Sequence, residues 1–109
     1  MFKKLKSRKE FLRVHNNGLK AVTKGLIIQS LNNTENQNIK RFGFTASRKI
    51  GNSVIRNRAK RRLRALVQIN FKEQFNIGMD YVLIARNGTA NCEFQKLNQD
   101  LLWAVNNLS

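Results

Sequence analysis

Apolar residues recur along this chain in two rhythms, one helical and one of period two, and together they mark out six elements. From Ser7 to about Asn16 the spacing predicts a short helix. Ser7 stands at its N-cap and Glu10, three residues on, completes a capping box, while Phe11 and Val14 face inward at i,i+3. Gly18, following Asn16 and Asn17, predicts a left-handed C-terminal cap. Leu26, Ile27 and Ile28 read as a strand, and the loop from Asn32 to Asn38 is too hydrophilic to pack. In 39–46, Phe42 and Phe44 share one side at period two, so the two runs predict a hairpin with a long loop. Paired aromatics in a strand are more often core than a platform for nucleobases.

The longest helix is predicted over 54–71. Gly51, Asn52 and Ser53 supply its turn and N-cap, and neither Gly nor Pro interrupts the positions that follow. At 100° per residue Ile55, Ala59, Leu63 and Leu66 form one stripe, with Val67 and Ile69 at its margins. Asn57, Lys60, Arg61, Arg64 and Gln68 fall opposite, and Arg56 and Arg58 flank the stripe. Arg62 lies inside the apolar arc, so it either snorkels outward or marks where the core ends. Gly78 precedes a largely buried strand over 80–86, Asn87-Gly88-Thr89 is a turn, and Phe94, Leu97, Leu101, Leu102 and Val105 give a final helix within 92–108. The order is αββαβα, an α+β fold with helices against a central mixed sheet, and its β–helix–β unit crosses over right-handedly by default.

At 109 residues the chain predicts one domain, 1–109, with a basic arm over 1–9 that is expected to be mobile. The single Cys92 excludes an internal disulfide. The N-terminus lacks the apolar run of a secretory signal, and no stretch approaches a membrane span, so a cytoplasmic protein without a membrane partner is expected.

Charge changes the picture most. The chain has 21 Lys and Arg against 6 Asp and Glu, a formal net +15. The excess lies before residue 73, and no acid occurs between Glu35 and Glu73. Six cations between Arg56 and Arg64 repel one another unless something anionic neutralises them. A solvated basic face is the plain alternative, but it would ordinarily carry i,i+4 acidic partners. A nucleic acid is therefore the expected partner, ahead of an anionic membrane.

Catalytic chemistry is missing by the same inspection. His15 is the only histidine, the carboxylates are scattered, and Asp80 and Asp100 read as a cap or surface charge rather than metal ligands. No phosphate-binding glycine motif occurs. Arg and Lys instead offer phosphate contacts, Asn57 can reach a base edge, and Ser47-Arg48-Lys49 adds cations at the helix N-terminus.

The run from Arg41 to Val54, RFGFTASRKIGNSV, followed by Arg56-Asn57-Arg58-Ala59-Lys60-Arg61 and Arg64, resembles the signature of the bacterial ribonuclease P protein subunit. Phe11, Val14, Gly18 and the strand 80–86 resemble that family as well, so the likeness covers about residues 5–105. The resemblance implies an accessory subunit of a ribonucleoprotein whose RNA is the catalyst, removing the 5′ leader of precursor tRNA with Mg²⁺ held mainly by the RNA and substrate. It implies a left-handed crossover, against the default above, and no protein-bound metal or obligatory protein partner. Arg48, Arg56, Asn57, Arg58, Lys60, Arg61 and Arg64 map onto the surface that contacts the catalytic RNA. Phe11, His15, Ile27, Gln29, Thr45 and Lys49 map onto a cleft for the single-stranded leader, which turns Phe11 from a core residue into a stacking surface. His15 and Gln29 stand where many members carry aromatics, and Ala65 replaces a frequently polar residue. Two rivals remain at this point, a small basic ribosomal protein and a protein-only nuclease.

Overall fold

The computed structural model describes residues 3–33 and 38–109. Strand β1 (Lys3–Lys4) leads into α1 (Arg8–Asn17), followed by β2 (Leu19–Val22), β3 (Leu26–Asn32) and β4 (Arg41–Thr45). A 3-10 turn (Arg48–Ile50) then enters α2 (Ser53–Gln74), and β5 (Met79–Ala85) and α3 (Phe94–Asn106) complete the chain. This is the expected mixed α+β domain, with two added strands, β1 and β2.

The five strands lie in the order β1-β4-β5-β3-β2. β5 pairs parallel with β4 and antiparallel with β3, so the hairpin expected between 26–28 and 39–46 does not form. β3 instead makes its hairpin with β2 through the Thr23–Gly25 turn. The physical reason is burial: β5 is apolar on both faces and takes the centre, where each face has a core to meet. Of the hydrophilic loop expected over 32–38, residues 34–37 lie outside the described residues; Asn33 is buried and its N–H donates to the Gly78 carbonyl.

Helix α1 covers one face of the sheet, and α2 and α3 the other. The larger core joins Leu26, Ile28, Phe42, Tyr81 and Leu83 to Ala59, Leu63, Leu66 and Val67 of α2 and Leu97, Leu101 and Ala104 of α3. Phe42 is stacked on Tyr81 at 5.3 Å and meets Phe75 edge-on at 4.9 Å, which makes it a core aromatic. The smaller core, Leu5, Val14 and Val82 with Phe11, Leu31 and Ile84 beside it, lies under α1. Ile69, expected at the buried margin, is exposed, because the stripe of α2 runs through Val67 on its other border.

The basic arm is partly docked. Lys3–Lys4 pairs parallel with β4, Leu5 donates its N–H to the Phe42 carbonyl at 2.8 Å and buries its side chain, while residues 1 and 2 lie outside the described residues. Gly18 is extended (φ −87°) rather than left-handed; a Cβ there would lie 2.5 Å from the Ser30 carbonyl oxygen, so close approach of α1 to β3 is what requires glycine. The left-handed region is used at Gly51 (φ +150°), before Asn52 caps α2 by accepting from the Ile55 N–H at 3.0 Å.

Ser7 and Glu10 form the expected capping box, with Glu10 Oε1 accepting from the Lys6 and Ser7 N–H groups at 2.9 and 3.0 Å. These backbone donors, and then Arg41, hold the Glu10 carboxyl below its ordinary value against the opposing effect of burial. Because the folded pKa is depressed, the contribution is full above the ordinary value of 4.5 and is lost as pH falls below it. Urea midpoints measured against pH should therefore fall less steeply below that value for Glu10→Gln than for the parent. Parallel profiles would remove Glu10 from the acid limb.

Candidate nucleic-acid interface

Asn52 starts α2 so that its outer side carries the whole Arg-Asn-Arg block. Asn57, Arg58 and Arg61 are exposed, and Arg56, Lys60 and Arg64 are half-exposed. Arg48 and Lys49 are exposed on the turn that feeds the helix. Among the described residues no carboxylate pairs with any of these cations, since the three ion pairs present all involve Arg13 or Arg41. A helix face of unpaired guanidinium and ammonium groups is a surface for phosphates.

Two cations of this helix are held differently. Arg64 holds its guanidinium over the Phe44 ring at 5.4 Å, beside the β4 edge. Arg62, expected either to snorkel outward or to mark where the core ends, instead turns toward the β5–α3 connection. Its guanidinium donates to the carbonyls of Thr89 and Cys92 and lies 5.6 Å from the Phe94 ring, so it ties α2 to the β5–α3 connection. Arg62 is part of the scaffold.

On the opposite face, sheet register assembles the second surface. Ile27 is opposite Ile84, which is opposite Thr45; in the next row Gln29 is opposite Val82, which is opposite Gly43. These rows lie under α1. Phe11 seats its ring directly on Gly43, where any Cβ would collide with it. His15, one turn further along α1, is exposed, with Nδ1 3.3 Å from Nε2 of the buried Gln29. Phe11, His15, Ile27, Gln29 and Thr45 are thus brought to one side of the sheet, and Lys49 follows four residues after Thr45 on the exposed turn.

Sequence reasoning missed the floor of this cleft, Gly43, Val82 and Ile84. The alternation of β5 would have indicated it, because Tyr81 and Leu83 go to the large core and Val82 and Ile84 to the small one. The two surfaces meet around the β4 edge. There a hollow of ≈ 120 Å³ is lined by Lys4, Phe11, Gly43, Phe44, Lys60 and Arg64, joining an aromatic wall to three cations.

Asp80 is the main correction. Expected as a cap or surface charge, it is fully buried at the start of β5 and accepts two hydrogen bonds from Arg41, at 2.8 and 2.7 Å, and one from Arg13 at 3.3 Å. Asp100 is neither free nor a helix cap, since it accepts from the Gly25 N–H at 3.0 Å and fastens the β2–β3 turn. Among the described residues no group of three His, Cys, Asp or Glu side chains could hold a metal ion, and Asp80 is already committed to two guanidinium groups. A hollow of ≈ 490 Å³ beside α3, lined by Lys24, Cys92, Glu93, Lys96 and Asp100, has walls of both charge signs and holds none of the residues mapped to RNA.

The fold and its charges define a class: a small basic α+β domain that presents one cationic helix and, around the edge of the same sheet, a half-open aromatic cleft. Comparison with known proteins makes the class particular. The family model described as Ribonuclease P matches residues 2–109. The ribonuclease P protein component of Gluconacetobacter diazotrophicus is 43% identical over 98 residues, covering 90% of this chain and 84% of its own, and that of Paramagnetospirillum magneticum is 45% identical over 105 residues, covering 94% and 79%. Among solved structures, the Staphylococcus aureus RNase P protein superposes with a TM-score of 0.82 at 23% identity, over 97% of this chain and 94% of that one. The Thermotoga maritima protein gives 0.76 at 25%, over 92% of each. The chain belongs to the ribonuclease P protein family, whose members are accessory subunits of that enzyme. Membership sets aside the ribosomal-protein alternative.

Proposed function

We propose that this subunit binds the catalytic RNA of ribonuclease P through the outer side of α2 and the single-stranded 5′ leader of precursor tRNA through the cleft between α1 and the sheet. The observation that carries this is the adjacency of two unlike surfaces. Unpaired Arg48, Arg56, Arg58, Lys60, Arg61 and Arg64 supply phosphate contacts, and around the β4 edge Phe11 offers a ring to an unpaired base, beside Ile27, Gln29, His15 and Thr45. Lys49, exposed beyond Thr45, supplies a cation at the mouth of the cleft. The chemistry then belongs to the RNA and its Mg²⁺, with the protein raising affinity for the precursor and reducing the Mg²⁺ needed. The same reading carries a left-handed β4–α2–β5 crossover and a cytoplasmic site of action.

The test is cleavage of a precursor tRNA at low Mg²⁺ by a bacterial ribonuclease P RNA, with and without the protein, and by the protein alone. Leader release by the mixture only supports the proposal. Release by the protein alone, or no stimulation at any ratio, overturns it. Within the holoenzyme, Phe11→Ala should leave assembly intact and weaken precursor binding about fivefold to a hundredfold, with mature tRNA unaffected, because one base–aromatic stack is removed. Titrations with both tRNA forms decide it, and equal weakening of the two would remove Phe11 from the leader site.

A further inference from the structure

Beneath α1 lies a chain of four charged groups that includes none of the residues mapped to either RNA surface. Arg41 of β4 holds Glu10 of α1 with Nη1 (2.7 Å to Oε2) and Asp80 of β5 with Nε and Nη2. Arg13, one turn after Glu10, reaches the same Asp80 and also donates to the Asn32 carbonyl at the end of β3. Both guanidinium groups are therefore neutralised inside the protein. They bind α1 to three strands at once.

Geometry gives this network a consequence for the cleft. Phe11 lies between Glu10 and Arg13 in the helix, and its ring rests on Gly43, two residues after Arg41 in the strand that Glu10 is tied to. The Glu10–Arg41 link thus draws the first turn of α1 onto β4 at the place where Phe11 meets the cleft floor. Its side chains are 29% and 18% exposed, so water screens the pair only in part. Its effect is on position, because a ring presented by a helix moves with that helix.

We propose that Glu10–Arg41–Asp80–Arg13 is a positioning network that sets the spacing between α1 and the sheet, so that Glu10, Arg41 and Asp80 govern leader affinity through Phe11 without touching RNA; this rests on the leader reading above. Glu10→Gln is the selective variant. Its amide oxygen still accepts from the Lys6 and Ser7 N–H groups, so the helix cap survives, but the charge facing Arg41 is gone.

The experiment uses holoenzyme reconstituted with a bacterial ribonuclease P RNA and compares binding of a precursor tRNA carrying a single-stranded leader with binding of mature tRNA. It does so for the parent, Glu10→Gln, Phe11→Ala and the double variant. Glu10→Gln is expected to lower the precursor-over-mature preference about threefold or more, to leave assembly with the RNA unchanged, and to cause no further loss in the Phe11→Ala background. A structural role alone would not produce that non-additivity. Loss in Phe11→Ala with none in Glu10→Gln overturns the network alone, as does an equal further loss in the double variant. Full preference retained by Phe11→Ala overturns the leader cleft, and the network proposal with it.

Discussion

Replacing Arg58 and Arg61 together by Ala should weaken assembly with the catalytic RNA about ten- to hundredfold near physiological salt and flatten its salt dependence by roughly one unit of slope for each phosphate no longer neutralised. Both side chains are exposed on α2, and no carboxylate among the described residues neutralises them, so each is expected to release counterions from RNA when it binds. The effect of net charge must be separated from that of the guanidinium groups on this face. Lys24→Ala with Lys96→Ala, beside α3, removes the same net charge from a hollow of mixed sign. Binding isotherms at several salt concentrations should show a flatter slope for the arginine pair and a near-parental slope for the lysine pair. Equal flattening would mean that the field of the whole protein, and not the face of α2, drives assembly.

Asp80→Ala should have the largest effect on stability. The carboxylate is fully buried and neutralises Arg41, whose side chain is 18% exposed, and removing it takes from that guanidinium the acceptor of two of its hydrogen bonds and leaves a cavity beside it. Deleting one partner of a buried pair costs about 3 kcal/mol or more. For a chain of this size that corresponds to a midpoint lower by roughly 12 °C or more. Thermal unfolding followed by circular dichroism checks it; a change of only a few degrees would mean that water or Glu10 compensates Arg41 without Asp80.

How much of this is legible in the sequence depends on the distance over which a signal acts. The capping box at Ser7 and Glu10, the Asn52 cap and the stripe Ala59-Leu63-Leu66 are local, and each appears where the spacing places it. Arg62 is visible as an anomaly in the arc, although its two carbonyl partners, near residue 90, are not. The expected hairpin does not form because strand order is a non-local matter: nothing within 26–46 reveals that β5 will part β3 from β4. Asp80 looks like a surface charge for the same reason, since its partners lie 39 and 67 residues away. The cleft residues Ile27, Gln29 and Thr45 share a face by strand parity, which sequence carries, whereas Val82 and Ile84 are hidden in a run that is apolar on both sides.

The inward turn of Arg62 means that folding edits the electrostatic text written along α2. A peptide of residues 53–74 would display six neighbouring cations on a fraying helix and would adhere to polyanions indiscriminately. In the intact protein one cation is withdrawn into the scaffold and another is propped against Phe44, leaving a sparser and stiffer array. On the RNA-binding role proposed for α2, the charge the fold takes away then shapes the contact as much as the charge it presents, and a helix grafted onto another scaffold would lose that arrangement.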